Sequence, residues 1–316
     1  MNRIGSTDLE IFPLCLGGNV FGWTADEAES FAVLDAYSGA GGNFIDTADS
    51  YSEWADGNDG GESETIIGGW LARRGRRDDV VIATKVGQSE RRRGLGPANI
   101  RAAAEASLRR LGTEYIDLYY AHEDDPHTPL EDTLRAFSDL AAKGKVRYIA
   151  ASNYTAPRLA AALATAKRHG TASYVALQVQ YNLVHRDEYE GDLAVLCERE
   201  RLSCVAYSAL ADGFLTGKYR RDRDLPASER AEDVSVYLTD RGTAVLDALD
   251  TVAERDEAPM AAVALAWLAA RPAVAAPLAS ARTPSQLQDL LRAPGLRLTA
   301  DDMALLTAAS SSAGQV

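Results

Sequence analysis

The sequence predicts an α/β chain folded as a (β/α)8 TIM barrel, a single domain over residues 1–316. Three observations predict it. Short, almost wholly apolar runs alternate with longer helical segments about eight times along the chain, as a closed parallel barrel requires. The runs lack a polar face, which marks strands covered on both sides. A doubly wound sheet gives the same alternation, but its dinucleotide fingerprint is missing. Gly17-Gly18-Asn19-Val20-Phe21-Gly22 comes near G-x-G-x-x-G without matching it.

The elements follow in order. A first strand over 12–16 leads to a helix over 26–38, with Thr24 as its cap. Strand 43–46 precedes helix 62–74, strand 80–84 precedes helix 99–111, and strand 116–121 precedes helix 130–143. Strand 146–151 leads to helix 156–169, where Thr155 caps and Pro157 sits in the first turn. Strand 176–179 is followed by helix 188–201, and strand 203–207 by a charged, aperiodic stretch over 220–233. A loop of that length in a compact domain suits a lid. Residues 260–270 are apolar throughout but too few to span a membrane, so they read as a buried helix. Strand 274–277 closes the series, and the small residues of 310–314 read as a frayed tail. No Pro/Ser-rich linker divides the chain.

Composition narrows the function. The apolar share of 46% suffices for a large core. A net charge of −13 argues against a nucleic-acid backbone and against an anionic membrane surface, since both need basic patches. Cys15, Cys197 and Cys204 form no C-x-x-C pair, which suggests buried free thiols in a reducing compartment and no metal site. Residues 1–10 are polar and hold no signal-peptide core, so the expected location is cytoplasmic. No interface stripe indicates an oligomeric state.

In such a barrel, chemistry gathers where strands end. The second strand leads through Asp46 to Tyr51, the third ends on Lys85 and the fourth on His122. Taken singly, Asp46 could cap a turn, Tyr51 could be an interface aromatic and His122 a core histidine. Lys85 is harder to set aside. A lysine continuing an apolar strand must reach water or find a carboxylate. Asp46 is the natural partner, and Asp49 a weaker one.

These residues carry a family resemblance. Segments 43–51, 82–87 and 117–122 resemble the signature segments of the aldo-keto reductases, and segments 151–154, 177–182, 206–210 and 213–218 are further matches in the same order. Together they cover nearly the whole chain and are similar to the NADPH-dependent, potassium-channel β-subunit-like and bacterial branch of that superfamily. The resemblance implies a catalytic tetrad of Asp46, Tyr51, Lys85 and His122. Tyr51 would donate a proton as hydride from NADPH reaches the carbonyl carbon of an aldehyde, ketone or keto sugar. A phenol is a weak acid at neutral pH, so Lys85 is expected to ease its proton loss, with Asp46 holding Lys85. His122 would orient the carbonyl.

The same resemblance implies the cofactor contacts. Ser152, Asn153 and Gln178 suit the nicotinamide carboxamide, and Tyr207 the nicotinamide face. Ser208, Leu210, Gly213, Gly217 and Lys218 belong to the segment over the pyrophosphate, and Asn19 and Val20 follow the first strand. Ser280, Arg282, Gln286 and Asp289 lie in the segment for the adenosine 2′-phosphate, where the fork of Arg282 favours NADPH over NADH. Three positions depart from the family: Ser280 where glycine is usual, Ala209 where proline is common, and Leu290 where asparagine meets adenine. Phe21, Trp23 and Trp54 are expected to wall the substrate. Glu123, Asp124, Asp125 and His127 make the adjoining rim polar. Arg91, Arg92 and Arg93 read as a solvated loop, or alternatively as contacts to an anionic substrate such as a nucleotide-linked keto sugar.

Two other readings stand beside reduction of a small-molecule carbonyl substrate. One is an NADPH-binding, redox-sensing regulatory module with slow turnover. The other is a metal-dependent hydrolase, disfavoured because His122, His127, His169 and His185 form no H-x-H pair.

Overall fold

The structure, a computed structural model, describes residues 1–220 and 234–311. Two short antiparallel strands open the chain, β1 (Asn2–Arg3) and β2 (Glu10–Ile11). The barrel strands and helices then alternate: β3 (Cys15–Gly17), α1 (Glu27–Gly39), β4 (Phe44–Asp46), α2 (Glu62–Arg74), β5 (Val81–Val86), α3 (Pro97–Leu111), β6 (Ile116–Ala121) and α4 (Leu130–Ala142). They continue with β7 (Val146–Ser152), α5 (Ala156–His169), β8 (Tyr174–Gln180), α6 (Asp192–Glu200) and β9 (Ser203–Tyr207). A 3-10 segment (Ala211–Thr216) follows, then α7 (Asp240–Arg255), α8 (Met260–Ala269), β10 (Val274–Ala279), α9 (Pro284–Leu291) and α10 (Ala300–Ala309).

Strands β3 to β10 form one closed parallel barrel, with β10 returning to β3 through Leu278 opposite Cys15 and Ala279 opposite Leu16. This is the (β/α)8 fold that the alternation predicts. The barrel interior is filled by Phe44, Leu118, Tyr120 and Val205 beside small residues such as Ala83, Ala150, Ala176 and Ala276. Large side chains interdigitate with small ones to pack the layers. The outer core lies between strands and helices, and α8 is buried along 261–268 with Trp267 at its centre. That burial explains its unbroken apolar run.

Three expectations change, and one element is new. The first barrel strand begins at Cys15, after Pro13, whose nitrogen cannot donate to a ladder. Helix α1 is capped by Asp26 and not Thr24: Asp26 accepts from Glu29 N and Glu29 reaches back to Asp26 N, a full capping box. The β1–β2 hairpin is unforeseen, because two-residue strands leave no period to read. It is held by Asn2 Nδ2 donating to Ala275 O at 2.7 Å and Gly5 N to Ser203 Oγ at 2.8 Å, and it buries Ile4, Leu9 and Ile11 against the barrel interior. Ser310, in the stretch expected to fray, is buried and accepts from Arg186 Nη1 at 2.8 Å. Residues 221–233 of the expected lid, and 312–314 of the tail, lie outside the described residues.

Candidate active site

Parallel pairing puts the ends of β4, β5 and β6 side by side, with Asp46 opposite Ala83 and Lys85 opposite Tyr120. Lys85 is fully buried and gives its ammonium three acceptors: Asp46 Oδ1 at 2.5 Å, the Thr47 carbonyl at 2.9 Å and the Tyr51 hydroxyl at 2.7 Å. Those three bonds answer the desolvation cost that made the residue conspicuous. Tyr51 in turn donates to Asp46 Oδ1 at 3.0 Å. Gln178, from β8 across the barrel, donates through Nε2 to Asp46 Oδ2 at 2.8 Å. The His122 ring stands 6.1 Å from that of Tyr51, and its Nδ1 is buried without a partner among the described residues.

Electrostatics sharpen the roles open to these groups. Burial, and then the Asp46 charge, push the Tyr51 phenol well above its ordinary value. This runs against the expectation that Lys85 dominates: the phenol holds its proton firmly and is a donor at neutral pH. Burial lowers Lys85, with Asp46 opposing it. Burial and the Lys85 charge hold His122 well below 6.5, so its imidazole is neutral at pH 7.

The loop carrying Tyr51 is pinned to the loop after β3. Ser52 takes a left-handed φ of 71°, and its hydroxyl donates to the Phe21 carbonyl at 2.8 Å. Asn58 Nδ2 donates to the Gly22 carbonyl at 2.8 Å and the Ser52 carbonyl at 3.0 Å. Ser63 Oγ bridges from Thr47 to the Gly18 carbonyl. Ser52, Asn153, Ser208, Ala211 and Asp212 all hold positive φ on this rim. Backbone strain of about 1–3 kcal/mol per residue persists only where surroundings enforce it, and it gathers at functional sites.

Tyr51 opens onto a cleft of about 450 Å³, within the ~300–1,000 Å³ of small-molecule sites. Of the residues expected at a cofactor, Asn19, Val20, Tyr207, Ser208, Leu210 and Gly213 line it. So do Lys218, Ser280, Arg282, Gln286 and Asp289, with Leu290 in the place of the family's asparagine. Ser152, Asn153, Gln178 and Gly217 do not. Asn153 is engaged by His122 O and the Tyr207 hydroxyl, Gln178 by Asp46, and Gly217 packs where a Cβ would collide with Met260 Sδ. Ser152 Oγ is buried with no partner among the described residues. Lys218 and Arg282 make no ion pair among the described residues, which leaves two cations facing the cleft. A buried hydroxyl and two cationic side chains without hydrogen-bond or ion-pair partners among the described residues, with an aromatic face, fit a nicotinamide dinucleotide. Lys218 Nζ also rests 4.6 Å from the Tyr219 ring centroid.

On the substrate side, Trp23 lines the cleft and meets Trp54 edge-to-face at 5.6 Å, and Trp54 stands 6.2 Å from the Tyr51 ring. Phe21 is corrected: it is wholly buried in the core and offers no surface to a substrate. Its apolar neighbours Val20 and Trp23 gave no sign of which side it would face. Arg91 is paired with Asp59, and Arg93 stands 3.9 Å from Glu123. Thr216, Met260 and Leu278 also line the cleft unannounced. Met260 arrives from the start of α8, which no strand-end pattern marks.

A barrel with a buried lysine–aspartate–tyrosine centre at the wall of a cleft has the form of an enzyme's active site, and comparison with known proteins names the family. The Aldo/keto reductase family matches residues 13–311. The chain belongs to that family, a group of oxidoreductases. It is 32% identical to norsolorinic acid reductase B of Aspergillus parasiticus over 94% of this chain and 80% of the relative. It is 34% identical to an uncharacterized oxidoreductase, YrpG, of Bacillus subtilis, covering 96% and 93%. It is also 30% identical to a probable voltage-gated potassium channel subunit beta of Arabidopsis thaliana, covering 92% and 90%.

Proposed function

We propose that the protein reduces a small carbonyl compound with NADPH, and that Tyr51 gives the proton. The observation that carries this reading is the Lys85–Tyr51–Asp46 hydrogen-bonded centre at the wall of the cleft. NADPH, when bound, supplies the hydride. The chain's residues do the rest. Tyr51 donates to Asp46 in the structure, so a substrate oxygen must take that hydroxyl proton in place of Asp46. Lys85 holds the phenol oxygen from the other side and neutralises it once the proton has left. Neutral His122 donates a hydrogen bond that steers the carbonyl oxygen toward Tyr51. Trp23 and Trp54 exclude water beside the reacting bond and favour substrates with an apolar body. Ser152 suits the carboxamide, Tyr207 the nicotinamide face, and Arg282 a 2′-phosphate.

The test is NADPH oxidation by the wild type against a panel of aldehydes, ketones and keto sugars. Turnover of at least one class is expected. The similarity to a plant channel subunit supports a second reading, in which NADPH is bound and turned over slowly as a redox signal. Quenching of NADPH fluorescence without oxidation of any panel member would favour that reading.

A further inference from the structure

Asp49 lies between Asp46 and Tyr51 in the chain, and the chemistry above makes no use of it. The residue is 5% exposed, and neither carboxyl oxygen has a hydrogen-bond partner among the described residues. Cations stand nearby, yet each is committed. Lys85 on β5 commits its three protons to Asp46, Thr47 and Tyr51. Arg110 on α3 grips Glu64 of α2, with Nε 2.7 Å and Nη2 2.6 Å from Oε2, while Thr84 donates to Oε1 at 2.5 Å. Glu53 on the same loop and Tyr119 on β6 also interact electrostatically with Asp49. The Tyr119 hydroxyl itself has no partner among the described residues. The charges thus pair as Lys85 with Asp46 and Arg110 with Glu64. Asp49 is left without a cation, and a carboxyl so placed neutralises by taking a proton.

We propose that Asp49 is a positioning residue that rests protonated, and that its neutrality keeps the Lys85 ammonium directed at Tyr51. The proposal rests on the reading of Tyr51 as proton donor. Asp49 is tied to the lysine's own strand position, its backbone N–H donating to the Lys85 carbonyl at 3.3 Å. Burial, and then the Glu64 charge, push its carboxyl up to about 8. Once it ionises, a second anion competes with Tyr51 for the ammonium. The phenol then sits in a more negative field and yields its proton less readily. Reduction therefore slows as pH rises through the Asp49 ionisation.

Two readouts on the full chain test this. In infrared difference spectra, the wild type should show the C=O stretch of a protonated carboxylic acid at neutral pH. That band should fade as pH rises through about 8 and be absent from Asp49→Asn. Its loss in the wild type alone needs neither a variant nor turnover. In the second, kcat against pH for reduction of a neutral aromatic aldehyde by NADPH should show an alkaline limb in wild type, falling by up to about tenfold per pH unit. Asp49→Asn should lack that limb. Absence of the band at neutral pH overturns the proposal. A band accompanied by the same limb in both proteins also overturns it, because the proton would then be structural only. A wild type that turns over no carbonyl removes the proton-donor reading and the positioning role with it, while the band still reports the proton on Asp49.

Discussion

Asp49 and Lys85 meet the cost of burial in opposite ways. Lys85 keeps its charge and collects three acceptors; Asp49 finds no donor among the described residues and gives its charge up. The consequence for stability has a definite sign. A carboxyl that binds its proton more tightly in the folded chain loses nothing below the unfolded value near ~3.9. Above it, the unfolded state ionises while the folded state does not, so stability falls with rising pH until the folded value of about 8 is passed. Urea unfolding should therefore find Asp49→Asn more stable than wild type by a margin that widens from pH 4 to pH 8. A constant margin would mean that Asp49 titrates in the folded chain as it does in the unfolded one. Arg282 makes a separate case. Its guanidinium faces the cleft without an ion pair among the described residues, so Arg282→Ala should raise KM for NADPH about tenfold or more and leave KM for NADH nearly unchanged. Equal losses for both would remove the 2′-phosphate role. Lys85 was legible in the sequence because an ammonium ending an apolar strand demands a partner. The Gln178–Asp46 bond was not, since it joins strands that do not pair and depends on the diameter of the closed barrel. The same blindness to side-chain direction misjudged Phe21.

Element boundaries follow the caps. Thr155 and Pro157 start α5 where their chemistry requires, with Thr155 accepting from Arg158 N. At α1 the expected cap, Thr24, gives way to Asp26 two residues on, which makes a reciprocal bond with Glu29 at the third helical position. Thr24 also has a glutamate three residues on, Glu27, yet the helix starts from Asp26. Asp26→Ala should cost about 1 kcal/mol in urea unfolding, while Thr24→Ala should stay within about 0.5 kcal/mol. The reverse order would return the cap to Thr24. Apolar runs located every barrel strand because burial on both faces leaves an unmistakable composition. Their ends were less legible, since polar groups such as Lys85 and Ser152 continue β5 and β7 into the site. The β1–β2 hairpin stayed hidden because its stability comes from contacts nearly 200 residues or more away in the chain, such as Gly5 with Ser203 and Asn2 with Ala275.

Over the whole molecule, closure of the barrel is what turns separate strand ends into one centre. Residues 46, 51, 85 and 122 are spread along the chain, and parallel pairing of β4, β5 and β6 delivers them to one rim. At the opposite end of β6, Asp117 is buried and joins Arg77 at 2.6 Å with Arg147 at 2.8 Å, and Arg147 reaches Asp8 after β1. Stability and chemistry thus occupy opposite ends of the same strands, as the architecture generally arranges them. The eightfold alternation made the barrel legible, and the strand-end residues made the reaction class legible. The carbonyl substrate was not, because the cleft wall is assembled from loops and from the start of α8. The central claim is that this closure makes Tyr51 the proton donor. Its most direct test is the rate of NADPH oxidation by Tyr51→Phe beside wild type, on whichever carbonyl substrate the wild type turns over best. The account predicts a fall in kcat of about 10²–10⁴-fold with NADPH fluorescence quenching retained. Full activity in Tyr51→Phe would contradict it.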